Sequence, residues 1–310
     1  MKTESLTLTS PYDGLKLACL AAEPDDGKIR GIVQLVHGMA EMKERYLPLI
    51  RHLTDEGYAC FIHDHRGHGG SVLSPDDLGF FYEGGGAALI TDTLAAIEES
   101  RRRWSGRKLL LIGHSMGSFV VRCTIRQQGN AADGLIVMGT PSINGAAPLA
   151  HALASIEGKL RGRRHRSTFL NKLAFGAYQK NIPNPQSAFD WLSVNRSNVD
   201  FYLKSPLCGF IFTCDGFCGL FDLASWTYRD DGWSVTNPSM PVLFLSGSDD
   251  PCIGSAANFD KAVAHLKARG YRDVESRLFE GYRHEILNEA IADEVMTVID
   301  DWIEKKRFFS

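Results

Sequence analysis

Five short runs of this chain have no polar face. GIVQLV at 31–36, YACFIH at 58–63, LLLI at 109–112, GLIVM at 134–138 and VLFL at 242–245 are apolar at nearly every position. A strand with one wet side alternates apolar and polar residues, so a short continuous apolar run belongs to a strand covered on both faces. Between these runs the pattern predicts helices over about 44–56 and within 84–104. Others are predicted at 255–268 and 285–306, and a last strand at 274–279. Strand and helix in alternation, with strands of this kind, predict an α/β chain whose mostly parallel sheet carries helices on both faces. Two alternating segments at 5–9 and 15–21, joined through Asp13-Gly14, read as a hairpin ahead of that sheet.

The regular pattern fails between 142 and 237. This stretch is rich in aromatics, carries the basic cluster RGRRHR from Arg161 to Arg166, and is closed by Asn237-Pro238 and Pro241. The chain therefore divides into a first core part at 1–141, an insertion at 142–237 and a second core part at 238–310. With 310 residues, 44% of them hydrophobic, there is material for one sizeable core and an insertion. An insertion between two parts of one sheet predicts a helical cap over the sheet's carboxyl edge, where ligands bind in open α/β sheets.

The run at 109–112 ends on Gly-His-Ser-Met-Gly, with Ser115 between Gly113 and Gly117. Helix-compatible apolar positions follow from Met116. A serine at such a strand-to-helix turn sits on strained backbone, and the flanking glycines remove side chains that would collide there. Its hydroxyl is a poor nucleophile without a base, and the base needs an orienting acid. Both follow in the chain. LFLSGSDDP places Asp249 and Asp250 in the loop after one strand, and RLFEGYRHE places His284 in the loop after the next. The order Ser, Asp, His is the one expected of hydrolases with a G-x-S-x-G turn.

Over nearly its whole length the chain resembles the α/β-hydrolases. Within them it is similar to the monoacylglycerol lipase and bacterial lysophospholipase-like branch of the serine aminopeptidase S33-type hydrolases. The stretches that carry the resemblance are VHGMAEMKERY, HDHRGHGGS, GHSMGS, LFLSGSDDP and EGYRHE. It implies an α/β-hydrolase fold with an inserted helical cap, Ser115 as nucleophile and His284 as general base. Asp250 takes the acid position, with Asp249 as the alternative. The oxyanion hole is implied at the backbone N–H groups of Met39 and Met116. The implied substrate is a lipid-like carboxylic ester, a monoacylglycerol or a lysophospholipid, cleaved through an acyl-enzyme without cofactor or metal. Phe210, Phe212, Phe217, Leu220 and Phe221 are candidates for an acyl pocket, or equally for the cap's own core. The same triad would serve a small-ester carboxylesterase, an amidase or a proline iminopeptidase-type peptidase. The last needs an acidic cap site for a free amine, with Asp190, Asp200, Asp215 and Asp222 available. A non-catalytic binding protein on this scaffold would typically lack a triad member, and all three are present.

His63, His65 and His68 form H-x-H-x-x-H, close to a metallohydrolase H-x-H-x-D-H pattern, but Gly67 stands where that pattern has its aspartate. Asp64, Arg66, Gly67, Gly69 and Ser71 also fit the D-x-R-G-x-G-x-S loop of the family resembled, so a structural loop is expected. His37 is assigned to buttressing the His37-Gly38 turn. Seven cysteines without a CxxC pair predict free thiols in a reducing compartment. Cys208, Cys214 and Cys218 suit no standard zinc spacing. The N-terminus is polar and no apolar run approaches ~20 residues, which predicts a soluble cytoplasmic protein. A net charge of -3, from 34 basic and 37 acidic residues, gives no reason to expect nucleic acid. Arg161 to Arg166 read as a solvated charge run. The alternative is a site for an anionic headgroup or membrane surface, a transient contact through the cap.

Overall fold

The five apolar runs form the middle of an eight-stranded sheet. A computed structural model describes residues 1–143 and 145–309. The strands are β1 (Lys2–Thr9), β2 (Lys16–Glu23), β3 (Gly31–Val36), β4 (Tyr58–His63), β5 (Leu109–His114), β6 (Gly134–Met138), β7 (Val242–Gly247) and β8 (Val274–Phe279). Their order across the sheet is β1-β2-β4-β3-β5-β6-β7-β8. β1 and β2 form the expected antiparallel hairpin, β2 runs antiparallel to β4, and every other pair is parallel. Every residue of β3, β4, β5, β6 and β7 is buried, as two-sided covering requires.

The helices divide between the faces. They are α1 (Leu47–Asp55), α2 (Gly85–Arg103), α3 (Met116–Gln127), α4 (Ala147–Arg161), α5 (Thr168–Phe175), α6 (Arg196–Lys204), α7 (Cys214–Thr227), α8 (Ala256–Ala268) and α9 (Ala292–Lys305). Alternation along β5 sends Leu109 and Leu111 into one core, with Leu89 of α2, Val120 of α3, Phe217 of α7 and Phe259 of α8. Leu110 and Ile112 enter the other, with Leu49 and Leu53 of α1 and Ile299 and Trp302 of α9. Each such side chain, taken fully out of water, contributes about 1.5–3 kcal/mol.

The final helix begins at Ala292 rather than at 285. Periodicity missed this because the carboxylates there face inward. Glu285 binds Arg45, and Glu289 accepts the N–H groups of Val194 and Asn195. Those contacts hold 285–291 in an irregular path with one short 3-10 turn at Ile286–Asn288.

Between β6 and β7 the chain runs through α4, α5, α6 and α7, yet the two strands pair directly, from Leu135 with Val242 to Met138 with Leu245. Arg161 to Arg164 are exposed, as a solvated run would be, but Arg163, Arg164 and Arg166 of this cluster are also paired. Arg163 reaches Asp215 at 2.7 Å, Glu83 at 3.0 Å and the Tyr82 carbonyl at 2.7 Å. Arg164 pairs with Asp77 and lies over the Phe80 ring, and Arg166 donates to the carbonyls of Ile211 and Asp76. These partners come from distant segments, so local charge patterning cannot show them. Together they clasp the end of α4 to residues 76–83. Among the described residues no helix is long and apolar enough to cross a membrane.

Candidate active site

Ser115 has φ 54° and ψ −119°, a conformation side chains rarely adopt. Such a residue costs of order 1–3 kcal/mol and persists only where its surroundings enforce it. Here the Ser115 N–H donates to the Met138 carbonyl at 3.0 Å, and its own carbonyl accepts from Ser118 N–H at 2.9 Å. The flanking glycines are steric necessities. A Cβ on Gly117 would lie 2.2 Å from the Val36 carbonyl oxygen, and one on Gly113 would lie 2.5 Å from that of Gly117. The strand and helix thus pass close enough to lift Ser115 above the end of β5.

The loops after β7 and β8 bring two further groups to the same edge. His284 Nδ1 donates to Asp250 Oδ2 at 2.9 Å, with both side chains buried. Asp250 also accepts from Ser246 Oγ at 3.0 Å and from Cys252 N–H at 2.8 Å. Burial alone would raise its carboxyl pKa, but His284 and these donors outweigh it and hold it below the ordinary carboxylate range. Asp249 is exposed and accepts from the Ser248 hydroxyl instead. Ser115 and His284 line one cavity, and Ser115 Oγ has no hydrogen-bond partner among the described residues. Catalytic contacts are often loose before substrate binds. Neither the Met39 nor the Met116 backbone N–H has an acceptor among the described residues, and both residues line the same cavity.

Two histidines of the H-x-H-x-x-H stretch, His65 and His68, serve the fold together with His37. His37 Nδ1 donates to the Gly38 carbonyl at 2.8 Å while its Nε2 accepts from His65 N–H at 2.9 Å. His65 Nε2 donates to the His37 carbonyl, and His68 Nε2 accepts from Ala40 N–H. Ring nitrogens occupied by backbone in this way brace the turn that carries Gly38 and Met39. Burial lowers the pKa values of His37 and His68 to about 4. Asp250, Cys252 and His284 have ligand atoms within 4.8 Å of one another. Asp250 is already hydrogen-bonded on both oxygens, and burial raises the Cys252 thiol well above its ordinary value. These groups form a hydrogen-bonded pair with a protonated thiol beside it, a poor donor set for a metal.

Sequence reasoning missed the charged floor of the site. Glu41 Oε1 accepts from Gly38 N–H at 2.5 Å and from the Tyr46 hydroxyl at 3.0 Å, and lies 3.5 Å from His114 Nδ1. His114 Nε2 faces the His284 carbonyl at 3.2 Å. Burial would depress this imidazole, but Glu41, with Glu285 behind it, outweighs burial and raises its pKa. Two acceptors, one at each ring nitrogen, suit an imidazolium. Glu41 and Arg45 stand in the VHGMAEMKERY stretch, but nothing in their spacing reveals that both are buried.

The cavity holds about 930 Å³ and is mostly apolar, with Phe119 and Met116 on the sheet side. Across from them lie Ala147, Leu153, Phe175, Tyr178 and Trp191 of the insertion, with Phe210, Leu220 and Phe221. Phe212 and Phe217, offered with them as pocket residues, are fully buried in the core and do not reach the wall. On α7, Leu220, Phe221 and Ala224 line the cavity, while Phe217 lies one turn earlier on the same face with its ring packed against Phe212 and Phe221.

The sequence profile of the serine aminopeptidase, S33, family matches residues 27–291. The chain belongs to that family. This S33 member is 24% identical over 298 residues to the monoglyceride lipase of Homo sapiens, covering 95% of this chain and 88% of that one. It is also 24% identical to the monoacylglycerol lipase of Mycolicibacterium smegmatis, with 88% of each chain covered. Among solved structures, a thermostable carboxyl esterase from Bacillus coagulans superposes with a TM-score of 0.87 at 24% identity, over 98% of this chain and 99% of that one. The S33 chain thus has the α/β-hydrolase fold of the monoacylglycerol lipase-like branch.

Proposed function

We propose that this protein is a serine carboxylic ester hydrolase acting on monoacylglycerols or lysophospholipids. The observation that carries the reading is the buried Asp250–His284 pair sharing one large apolar cavity with the strained Ser115. Ser115 Oγ attacks the acyl carbonyl while His284 Nε2 takes its proton, and Asp250 orients the imidazole and stabilises its charged form. The Met39 and Met116 N–H groups receive the oxyanion, each contributing about 3 kcal/mol to the transition state. His284 returns the proton to the leaving alcohol, and water activated by His284 then releases the acid from the acyl-enzyme. At about 930 Å³ the cavity lies near the top of the range for small-molecule sites, which supports a long acyl chain over acetate. The lipase names of the relatives point the same way.

A peptidase acting on free N-termini is less well supported. Asp190, Asp200, Asp215 and Asp222 all lie off the cavity wall, and the first three are paired with arginines. The carboxylates that do reach the wall, Glu41 and Glu285, share Arg45. The insertion also supports contact with a lipid surface. Leu149, Ile156 and Leu160 of α4 share one face by their spacing of seven and four, and with Phe169 and Leu173 of α5 they are exposed. With Arg163, Arg164 and Arg166 engaged by the core, this contact is apolar rather than charge-driven.

The test is steady-state hydrolysis of p-nitrophenyl esters from acetate to palmitate, with Ser115→Ala as control. Rates that peak at long chains and vanish in the variant support the reading. Activity on acetate alone leaves a small-ester esterase, and none on any ester overturns it. Sedimentation with phosphatidylcholine vesicles in high salt, lost in Leu160→Asp, tests the surface contact.

A further inference from the structure

The proposed chemistry leaves a second set of buried charges without a role. Arg45 Nη1 reaches Glu41 Oε2 at 2.8 Å and Glu285 Oε1 at 2.6 Å. Its Nη2 reaches Glu285 Oε2 at 2.6 Å and Asn198 Oδ1 at 2.9 Å. Asn198 closes the ring by donating from Nδ2 to Glu285 Oε2 at 2.6 Å. The four residues come from three places. Glu41 and Arg45 follow β3, Glu285 is bonded to His284, and Asn198 stands on α6 in the insertion. Neither Arg45 nor Asn198 lines the substrate cavity.

Stability alone does not explain such a cluster, because apolar residues of the same shape often hold a core as well as a buried ion pair or better. What a forked guanidinium between carboxylates supplies is fixed geometry. Each arm ends on the reactive edge. Through Glu41 the cluster holds Gly38 N–H, one peptide before the Met39 amide. A Cβ on Gly38 would lie only 3.0 Å from Ser115 Cβ, so this turn stands against the nucleophile. Through Glu285 the cluster reaches His284, whose carbonyl faces His114.

We propose that Asn198 and Arg45 form a latch by which α6, when seated, fixes the turn that presents the Met39 amide to the oxyanion. Both are positioning residues, and the inference rests on the serine hydrolase reading. With α6 in place, Asn198 satisfies Nη2 of Arg45 and one oxygen of Glu285, and the guanidinium stays in register with Glu41. With α6 displaced, both groups lose a partner, and the guanidinium is held by the two carboxylates alone, with its register towards Glu41 less fixed. Glu41, and with it the Gly38 N–H, is then positioned only from its Oε1 side, by Tyr46 and His114.

The experiment is the rate at which a small alkyl fluorophosphonate labels Ser115 in the full chain, compared among wild type, Asn198→Ala, Asn198→Gln and Arg45→Lys. The reagent is too small to fill the acyl cavity but develops charge on the same hydrogen-bond donors. Asn198→Ala is expected to label roughly tenfold more slowly at a temperature where it remains folded, with kcat for esters falling in proportion and KM constant. Asn198→Gln, which keeps the amide, recovers part of the rate. Arg45→Lys keeps the charge, loses the fork and is slow. Labelling of Asn198→Ala at the wild-type rate overturns the latch, as does a change confined to KM for long-chain esters. A wild type that is not labelled at all overturns the hydrolase reading itself.

Discussion

The indole of Trp191 packs on the imidazole of His284, with ring centroids 5.1 Å apart and planes tilted by 46°. The His114 ring lies at 4.7 Å from the same imidazole, and Asp250 holds its Nδ1. The orientation of the His284 side chain is therefore set partly by Trp191, which lies between β6 and β7 in the chain. Trp191→Ala is expected to lower kcat on p-nitrophenyl acetate by about tenfold, because the ring gains freedom that the Asp250 bond and the long Cys252 thiol contact do not restrain. Stopped-flow acylation measures this directly, and an unchanged burst rate would show that Asp250 suffices.

The two neighbouring aspartates give opposite expectations. Asp250→Asn removes the acceptor that orients His284, and should cost on the order of 10⁴ in kcat. Asp249→Asn changes an exposed side chain held only by Ser248 and should leave kcat within about twofold. Steady-state kinetics of the two variants decide between them.

Gly117→Ala should damage folding more than catalysis. The added methyl would meet backbone oxygens of Val36 and His37 at 2.2 and 2.5 Å, and neither can turn aside as a flexible side chain would. A loss of about 3 kcal/mol or more is expected, read by urea denaturation.

Acid should unfold the protein through the histidines that brace the Gly38–Met39 turn. His37 and His68 are neutral in the fold, with pKa values near 4 against the ordinary 6.5, and His65 lies well below its ordinary value. Their contribution to stability is complete above pH 6.5 and is lost as pH falls towards 4, where the unfolded chain binds protons that the folded chain refuses. For His37 or His68 the loss reaches about 2 kcal/mol at pH 5. Tm measured from pH 8 to 4.5 should be flat at first and then fall, with a shallower fall in His68→Gln.

Much of this molecule is legible in its sequence because the informative contacts are local or periodic. The five apolar runs expose the sheet, and the glycines around Ser115 expose the strained turn. Asp250 and His284 follow strands that can be recognised by pattern. Glu41, Arg45, Glu285 and Asn198 could not be read in the same way. Each is an ordinary polar residue in its own segment, and only tertiary burial makes it one part of a cluster. Phe212 and Phe217 illustrate the converse, since composition places aromatics near the site but only their packing on Phe81 and Phe221 decides that they stay in the core. Arg163 and Arg164 are exposed, and only the tertiary fold brings Asp215 and Asp77 to them.

The direct pairing of β6 with β7 has a consequence for how the chain assembles. From β1 to β6 the strands form one unbroken ladder, so that part of the sheet can zip while it emerges from the ribosome. β7 can join only after an excursion of roughly a hundred residues has closed, which places a large loop entropy ahead of its first hydrogen bond. Asp250 and His284 both lie beyond that closure. During synthesis Ser115 is thus housed before Asp250 and His284 arrive.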